Sequence, residues 1–489
     1  MIRSTFKIHD KYSVVIEATY DKVFEKKKSE YITSTYLFFP NSLNVNNKTY
    51  PATKFYNDVR LFIKYDTPNY TLNDIDIGED SLLNNLKQNT EIFLKQQSEY
   101  NRSRYRDQVK MFAATFSSLL REETQRIIYK KSKSVEDLIS FLEKIVQILS
   151  NFRILVNKID DTTLEFRSKR IIFYADEHMS NTVEAQLMLL FNHLKKIKFD
   201  DKTIEMVVNL INKEQKYKKQ KEYDSPKDKR VVPDKLLYKR DQLKKFIERV
   251  FFLNQEIRKD GAVFEQTLLA LAAGLAMVFS TGIAFYFQQN YGNFTTPFFI
   301  ALVLSYMMKD RIKGLISLLF VSKSSSFFYD YKIQITNTLS KKIGLIKENF
   351  VFVPVKKLSW KIKKYRFKDM IIQLGENSLN EQVIQYKKKV IIYPKRFGND
   401  LPDRNIIGLT DISRLNFHRF IQYMDDPQKE YILVKKGEIY NKIANKLYYI
   451  NIIQKYYTEG GIHYGRHIVI MNRNGIKKIE KVEYNNNAI

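Results

Sequence analysis

The 489-residue chain has no cysteine and a single tryptophan, Trp360. Without cysteine it can form no disulfide, thiolate zinc site, iron–sulfur cluster or cysteine nucleophile, which fits a reducing compartment. Charge is missing from one long stretch. Residues 266–308 hold no Asp, Glu, Lys or Arg, although the whole chain carries 82 basic against 54 acidic side chains, a net charge of +28. Absent too are the phosphate loop, a G-x-G-x-x-G after a strand, G-x-S-x-G and H-E-x-x-H, the backbone cradles and ligand spacings of nucleotide, dinucleotide, serine-hydrolase and zinc-protease chemistry. The opening "MIRSTFKIHDKYSVVIEATYD" has neither an apolar core of signal-peptide length nor a small-residue cleavage site, so nothing predicts secretion of the N-terminal half.

The charge that is present is uneven. Residues 1–265 hold 48 Lys/Arg against 38 Asp/Glu, a net +10; residues 309–489 hold 34 against 16, a net +18. A basic surface attracts phosphates, whether of anionic lipid headgroups or of nucleic acid. Abundant Lys, Asn, Ile, Tyr and Phe also reflect the codon drift of an AT-rich genome. The expected partner is a bilayer with anionic headgroups, ahead of nucleic acid.

Inside the uncharged stretch, Thr267 to Phe287 ("TLLALAAGLAMVFSTGIAFYF") is apolar on every face. As a helix it spans roughly 30 Å at about 1.5 Å per residue, the thickness of a bilayer's hydrocarbon. A soluble core helix rarely stays apolar all round for that length. After the polar turn "QQNYGN" comes a second span, "FTTPFFIALVLSYMM" (294–308), with Pro297 in its first turn, where the missing N–H costs little. Lys244, Lys245, Arg249, Arg258 and Lys259 precede the pair, Lys309, Arg311 and Lys313 follow it, and the turn carries no charge. Basic flanks stay cytoplasmic, so both termini are expected in the cytoplasm. Ala272, Ala276, Ser280 and Ala284 recur every four residues, a small-residue stripe that lets another helix approach closely. Its partner is the second span or, in an oligomer, another copy. Ile312, Leu315, Ile316, Leu319 and Phe320 then predict a helix lying in the membrane interface.

The expected fold is an α+β membrane protein. Residues 1–79 form a small α+β segment, with strands over 11–20 and 30–40 read as a hairpin-like pair and a short helix ending before Pro68. Residues 80–211 form a helical bundle. Its clearest member has Val135, Leu138, Leu142, Ile145, Leu149, Phe152, Val156 and Ile159 at alternating spacings of three and four, capped by Ser134. Seams through Val109, Phe112, Phe116 and Leu119, and through Val183, Leu187, Leu190, Leu194 and Ile197, supply its neighbours, the latter with Asn181 as cap and Glu184 three residues on. Residues 212–265 form a basic linker and juxtamembrane helix, 266–308 the transmembrane hairpin, 309–325 the interfacial helix and 326–489 a basic β-rich domain. In the last, "HIVIM" and "IKKIE" flank Asn474-Gly475, a tight-hairpin signal.

Two stretches suggest chemistry. "YADEHMS" places Asp176, Glu177 and His178 in succession, but successive helical positions point about 100° apart, so the three cannot share a face. "EGGIHYGRH" offers His463, Arg466 and His467 beside three glycines, a candidate anion site on a loop that otherwise just joins two strands. No catalytic residue, metal ligand or cofactor-binding residue is assigned. Three further segments, "YADEHMSNTVEAQLMLL", "RLNFHRFIQYMDDP" and "HIVIMNRNGIKKIE", together resemble parts of a family of bacterial two-span membrane proteins to which no activity is attached. The resemblance covers about a tenth of the chain and supplies no site residues. The expected function is that of a non-enzymatic scaffold, sensor or assembly component. The alternatives are a membrane-tethered enzyme or nucleic-acid-binding effector, and a homo-oligomeric pore.

Overall fold

The structure, a computed structural model, describes residues 2–21, 27–66, 70–78, 81–130, 134–224, 232–293, 295–324, 328–337, 340–367, 381–397, 406, 408–435, 437–458 and 461–482. The architecture is mixed α+β. The chain divides into two compact units, one of residues 1–63, 254–396 and 411–489 and the other of residues 64–253 and 397–410.

The first unit begins with β1 (Ile2–Ile8), β2 (Ser13–Asp21) and β3 (Ser29–Pro40), followed by α1 (Ala52–Asp58) and β4 (Val59–Tyr65). The expected pairing of the first two strand signals does not occur. β2 pairs with β1, which was not foreseen, and β3 lies in a different sheet. The short helix read over residues 53–68 is half right, because after Asp58 the β-branched and aromatic run Val59–Tyr65 turns to strand.

The second unit is helical: α2 (Leu82–Lys95), α3 (Glu99–Tyr129), α4 (Val135–Asp160), α5 (Phe166–Lys196), α6 (Asp201–Gln220) and α7 (Pro233–Glu248). The predicted seams are buried from Leu138 to Ile159 on α4, from Val109 to Leu119 on α3 and from Val183 to Leu194 on α5. Ser134 caps α4, its side chain accepting from the Asp137 N–H at 3.0 Å. Two expectations fail. Asn181 is no cap, because α5 starts fifteen residues earlier, at Phe166. The linker expected from residue 212 is helical as far as Gln220; its last turns bury Glu214 and Lys218 in an ionic network, which gives a polar segment a reason to fold. Residues 225–231 of that linker lie outside the described residues.

The first unit resumes with β5 (Asn254–Lys259), α8 (Ala262–Tyr291), α9 (Thr296–Ser324), β6 (Tyr331–Thr336), β7 (Lys342–Phe352), α10 (Trp360–Phe367) and β8 (Glu381–Ile392). It ends with β9 (Gly408–Asn416), α11 (His418–Ile421), β10 (Gln428–Lys435), β11 (Glu438–Asn445), β12 (Tyr448–Thr458), β13 (Gly461–Asn472) and β14 (Gly475–Val482). The expected juxtamembrane helix stops at Glu248, since Asn254–Lys259 finds backbone partners on β6 instead. Strand β9 gives way to α11 within a few residues, and β10 and β11 form an antiparallel hairpin.

An eight-stranded sheet of order β14-β13-β12-β3-β8-β7-β6-β5 and a four-stranded sheet of order β1-β2-β9-β4 make up this unit, with β10–β11 as a separate pair. N-terminal and C-terminal strands thus share one sheet. β3 pairs antiparallel with β8 from Ser29↔Ile392 to Pro40↔Glu381, and with β12 from Ile32↔Tyr457 to Phe38↔Asn451. Its alternation sorts side chains to two cores. Leu37 and Phe39 join Val14, Ile16, Ile384, Tyr386, Leu415 and Val469, while Phe38 faces Leu358, Ile362 and Ile453 under α10.

The β13–β14 hairpin forms as expected, but its two turn residues are Arg473 and Asn474, and of the Asn474-Gly475 pair only Gly475 takes positive φ. Gly475 has φ +115°, and a Cβ there would lie 2.5 Å from the Lys11 carbonyl oxygen, which accepts from the Ile476 N–H at 2.8 Å. Gly475→Ala is therefore expected to weaken hydrogen-exchange protection of β13–β14 by more than the about 1–2 kcal/mol of a left-handed alanine alone. Gly78→Ala, also at positive φ but with open space around the new methyl, shows only that conformational cost. Equal effects at the two sites would contradict the close approach.

Candidate functional site

α8 and α9 form an antiparallel helical pair. The small-residue stripe is spent on this contact. Ala272 and Ala276 are fully buried, and they face Ala301 and Ser305 on α9. The Ser280 hydroxyl lies 3.3 Å from that of Ser305, and Ala284 is half-buried. The turn is shorter than expected, since Gln288–Tyr291 complete α8 and Gly292 at φ +77° ends it. The segment expected to form a separate interfacial helix is the second half of α9, which runs unbroken to Ser324.

The rest of the α8 surface faces outward. Leu271, Leu275, Val278 and Phe285 are 60%, 53%, 69% and 69% exposed, and of the most apolar 18 residues of α8 only 11% are buried. Among the described residues α8 is the one helix long and apolar enough to cross a membrane. α9 is uncharged only from Thr296 to Met308, after which Lys309, Asp310, Arg311 and Lys313 follow. Of the basic flank, Arg258 pairs with Glu256, Lys259 with Glu265 at 2.6 Å, and the Lys309 ammonium sits 4.0 Å over the Tyr306 ring. Arg311 and Lys313 are exposed. Lys244, Lys245 and Arg249 are exposed, but they belong to the helical unit.

The candidate anion site does not assemble. His463, Arg466 and His467 lie on β13, not on a loop, and strand alternation sends Arg466 to the face opposite His463 and His467. Arg466 is buried, with its guanidinium on the Asn451 carboxamide oxygen at 3.0–3.2 Å and on the Tyr365 carbonyl at 2.9 Å. The His467 ring stacks on Phe6 at 4.0 Å, and burial pushes it down to about 4. His463 is exposed.

Asp176, Glu177 and His178 diverge as their spacing requires, but each is buried mid-helix. Asp176 accepts from Tyr217 at 2.7 Å, from Tyr223 at 3.1 Å and from Arg153 at 3.3 Å. Arg153 also holds Glu214 bidentately at 2.9 and 2.7 Å and lies 3.5 Å from the Tyr217 ring centre. Glu184 accepts from Lys218 at 2.5 Å, Gln215 at 2.7 Å and Arg240 at 2.9 Å. Burial pushes the Glu184 carboxyl up, but the Lys218 ammonium, Gln215 and Arg240 hold it below its ordinary value. Helices α4, α5, α6 and α7 are thus tied through one desolvated network. The sequence did carry its signal, an acid–hydroxyl–acid stripe of Asp176, Ser180 and Glu184 at four-residue spacing, masked by its overlap with the apolar seam.

A second ionic centre lies between the two sheets of the first unit. The Lys388 ammonium is 2.7 Å from both carboxylate oxygens of Asp411 and 2.9 Å from the Ser413 hydroxyl, and the Tyr20 hydroxyl donates to Asp411 at 2.6 Å. Neither the helical network nor the sheet centre gathers three metal-ligating side chains; among the described residues no such group occurs. Comparison of the chain with family models, curated proteins and solved structures yields no match, in keeping with a resemblance only to a family without assigned activity.

Two outcomes are expected for the helical network. Arg153→Ala strands Asp176 and Glu214 as buried charges and costs about 3–5 kcal/mol, read as lost hydrogen-exchange protection in α5 and α6 of the full chain. His178 is held down from 6.5 to about 4 by burial, with Arg121 and Lys244 adding to the shift and Glu248 opposing it. Below pH 6.5 the unfolded chain takes up a proton that folded His178 refuses, so stability is whole above 6.5 and falls as pH drops towards 4. His178→Met removes that part of the pH dependence of α5 protection; an unchanged profile would show that His178 is not its source.

Proposed function

We propose that the chain is a two-span protein of the cytoplasmic membrane, with both termini in the cytoplasm, that acts by binding as a scaffold, sensor or assembly component. One observation carries the reading: α8 presents large apolar side chains to its surroundings on every face not covered by α9. Water-soluble proteins rarely leave a continuous apolar surface of that extent open, and a bilayer is the solvent that accepts it. At 30 residues α8 measures about 45 Å, enough to cross hydrocarbon and both interfaces. The uncharged half of α9 is shorter, about 20 Å. Beyond it Leu315, Leu318 and Leu319 remain exposed beside Lys309, Arg311 and Lys313, whose long stems reach toward headgroups while their ammonium or guanidinium groups stay wet.

The buried Ala272–Ala276 stripe is occupied within the hairpin, which leaves the pore reading without its lining. The dispersal of His463, Arg466 and His467 along β13 likewise gives an effector reading no assembled anion site to add to the basic β-rich domain. A binding role draws support from β10–β11, a hairpin exposed along its whole length that carries Ile432, Val434, Ile439 and Ile443. Val434 and Ile439 are a direct cross-strand pair, so all four share one face.

The natural lack of cysteine makes the topology simple to test. The full chain is expected to stay with membranes through alkaline carbonate washing. A cysteine at Gln289→Cys, in the last turn of α8, is expected to react with an impermeant thiol reagent in intact cells, and one at Lys356→Cys only after permeabilisation. Release by carbonate refutes membrane insertion, and the reverse labelling pattern refutes the orientation.

A further inference from the structure

Lys388 on β8 and Asp411 on β9 belong to different sheets, and both point into the space between them. Lys388 follows the core residues Ile384 and Tyr386 at two-residue spacing, and Asp411 precedes the core residue Leu415 by four. Lys388 is 5% and Asp411 1% exposed. Directly across the β7–β8 pairing from Lys388 stands Glu348, also 5% exposed, whose carboxyl accepts from the Tyr386 hydroxyl. Beside Lys388 and Ser413 is a cavity of about 10 Å³, room for about one water, which Tyr20, Thr33, Thr35 and Gln454 also line.

We propose that Lys388 and Asp411 condense spontaneously to an amide, a covalent isopeptide link between the two sheets, with Glu348 as the proton carrier. Four features of the site favour the reaction over a lasting ion pair. The amine sits 2.7 Å from both carboxylate oxygens, so the Asp411 carbon lies at about the 3–3.5 Å separation of a near-attack pair. A turn about Cβ–Cγ presents the face of that carboxyl to the nitrogen. Both groups are buried, which removes the solvent that drives hydrolysis back. Glu348 faces Lys388 directly across the strand pair, and burial raises its carboxyl over the opposing pull of Tyr386 and Lys388, in the direction that suits a proton carrier. The cavity, finally, takes the water that leaves.

The steps balance without any oxidant or co-reactant. A proton passes from the Lys388 ammonium to the Asp411 carboxylate, giving amine and acid. The nitrogen lone pair attacks the Asp411 carbonyl carbon, forming the C–N bond. Glu348 takes a second proton from the nitrogen and delivers one to the hydroxyl on that carbon. The C–O bond breaks and water leaves, so that ammonium plus carboxylate become amide plus one water. The Tyr20 hydroxyl, already on Asp411 Oδ2 at 2.6 Å, stabilises the oxyanion that forms on that oxygen, and Oδ1, to which the Ser413 hydroxyl donates at 3.3 Å, is the one that departs as water. The product joins strands whose own sheets meet only through side chains.

The test is the mass of the intact full chain under denaturing conditions. The expected value is the sequence mass less one water, with a proteolytic digest yielding a branched peptide that joins Lys388 to Asp411. Lys388→Ala and Asp411→Ala are each expected at the full mass of their own sequences. Glu348→Gln, which keeps both reacting groups, is expected mostly at full mass, at least about tenfold slower to lose water than the natural chain, the low end of what a positioned proton carrier contributes. A natural chain at full sequence mass overturns the proposal, and so does a lost water without the branched peptide. Because the mass is read on unfolded protein, a variant that folds poorly does not blur the result for the natural chain.

Discussion

Everything in the first unit depends on backbone pairing between strands far apart in sequence. β3 finds its partners near residues 390 and 455, and β5 pairs with β6 across the whole of α8 and α9, from Asn254↔Thr336 to Lys259↔Tyr331. The second pairing sets the geometry of the hairpin. A chain that leaves the sheet after Lys259 must return by Tyr331, one strand spacing away, so α8 and α9 stand on a common base at the sheet edge. The Asp260 carboxylate locks that base, accepting from Lys347 on the next strand at 2.8 Å. Such non-local contacts form only after long loops have closed. The local turns at Gly292 and Gly475 make the sequence-adjacent partners easier to bring together.

The parts of this fold that were legible in the sequence are those in which local pattern and final environment agree. The α4 seam, its Ser134 cap and the Asn474-Gly475 hairpin each declare themselves within a few residues. The misreadings share one cause. Val59–Tyr65 and Asn254–Lys259 are short, mixed segments whose state is chosen by a partner strand elsewhere, and no single-segment periodicity records that partner. The same holds for the ionic centres. Arg466 beside glycines resembles an anion site until the strand register turns it toward Asn451. Lys388 reads as one lysine in "KKK" until β9 brings Asp411 to meet it. The polar stripe of Asp176, Ser180 and Glu184 was available from spacing alone, and the apolar seam on the same helix outweighed it.

Both units bury charge, and in both the burial is tolerable because the partners are supplied in full. An ammonium or carboxylate taken from water loses several kcal/mol of hydration, which only close, geometrically satisfied counter-charges offset. Arg153 meets two carboxylates and an aromatic face, and Glu184 meets two cations and an amide. Such networks add little net stability over an apolar core. They do fix which helix faces which, since a shift of one turn would leave several charges stranded. In a bundle whose apolar faces are wide and therefore weakly directional, that is a means of choosing one packing among several.

The uncharged stretch and the ionic centres are thus two answers to a single electrostatic constraint. Where the chain can surround a charge with its own donors and acceptors, as inside the helical unit, charge is kept and dried. Over residues 266–308, by contrast, no Asp, Glu, Lys, Arg or His occurs. Several hydroxyls there are turned inward or satisfied by their own helix. The Ser280 and Ser305 hydroxyls meet across the helix contact, and the Thr281 hydroxyl donates to the Met277 carbonyl of its own helix at 2.8 Å. A helix facing water would need no such economy. On the proposed membrane reading, the absence of charge from the outer faces, with hydroxyls folded back on the backbone, answers a surrounding medium without hydrogen-bonding capacity, and the return of Lys309, Arg311 and Lys313 within α9 marks where that medium gives way to water.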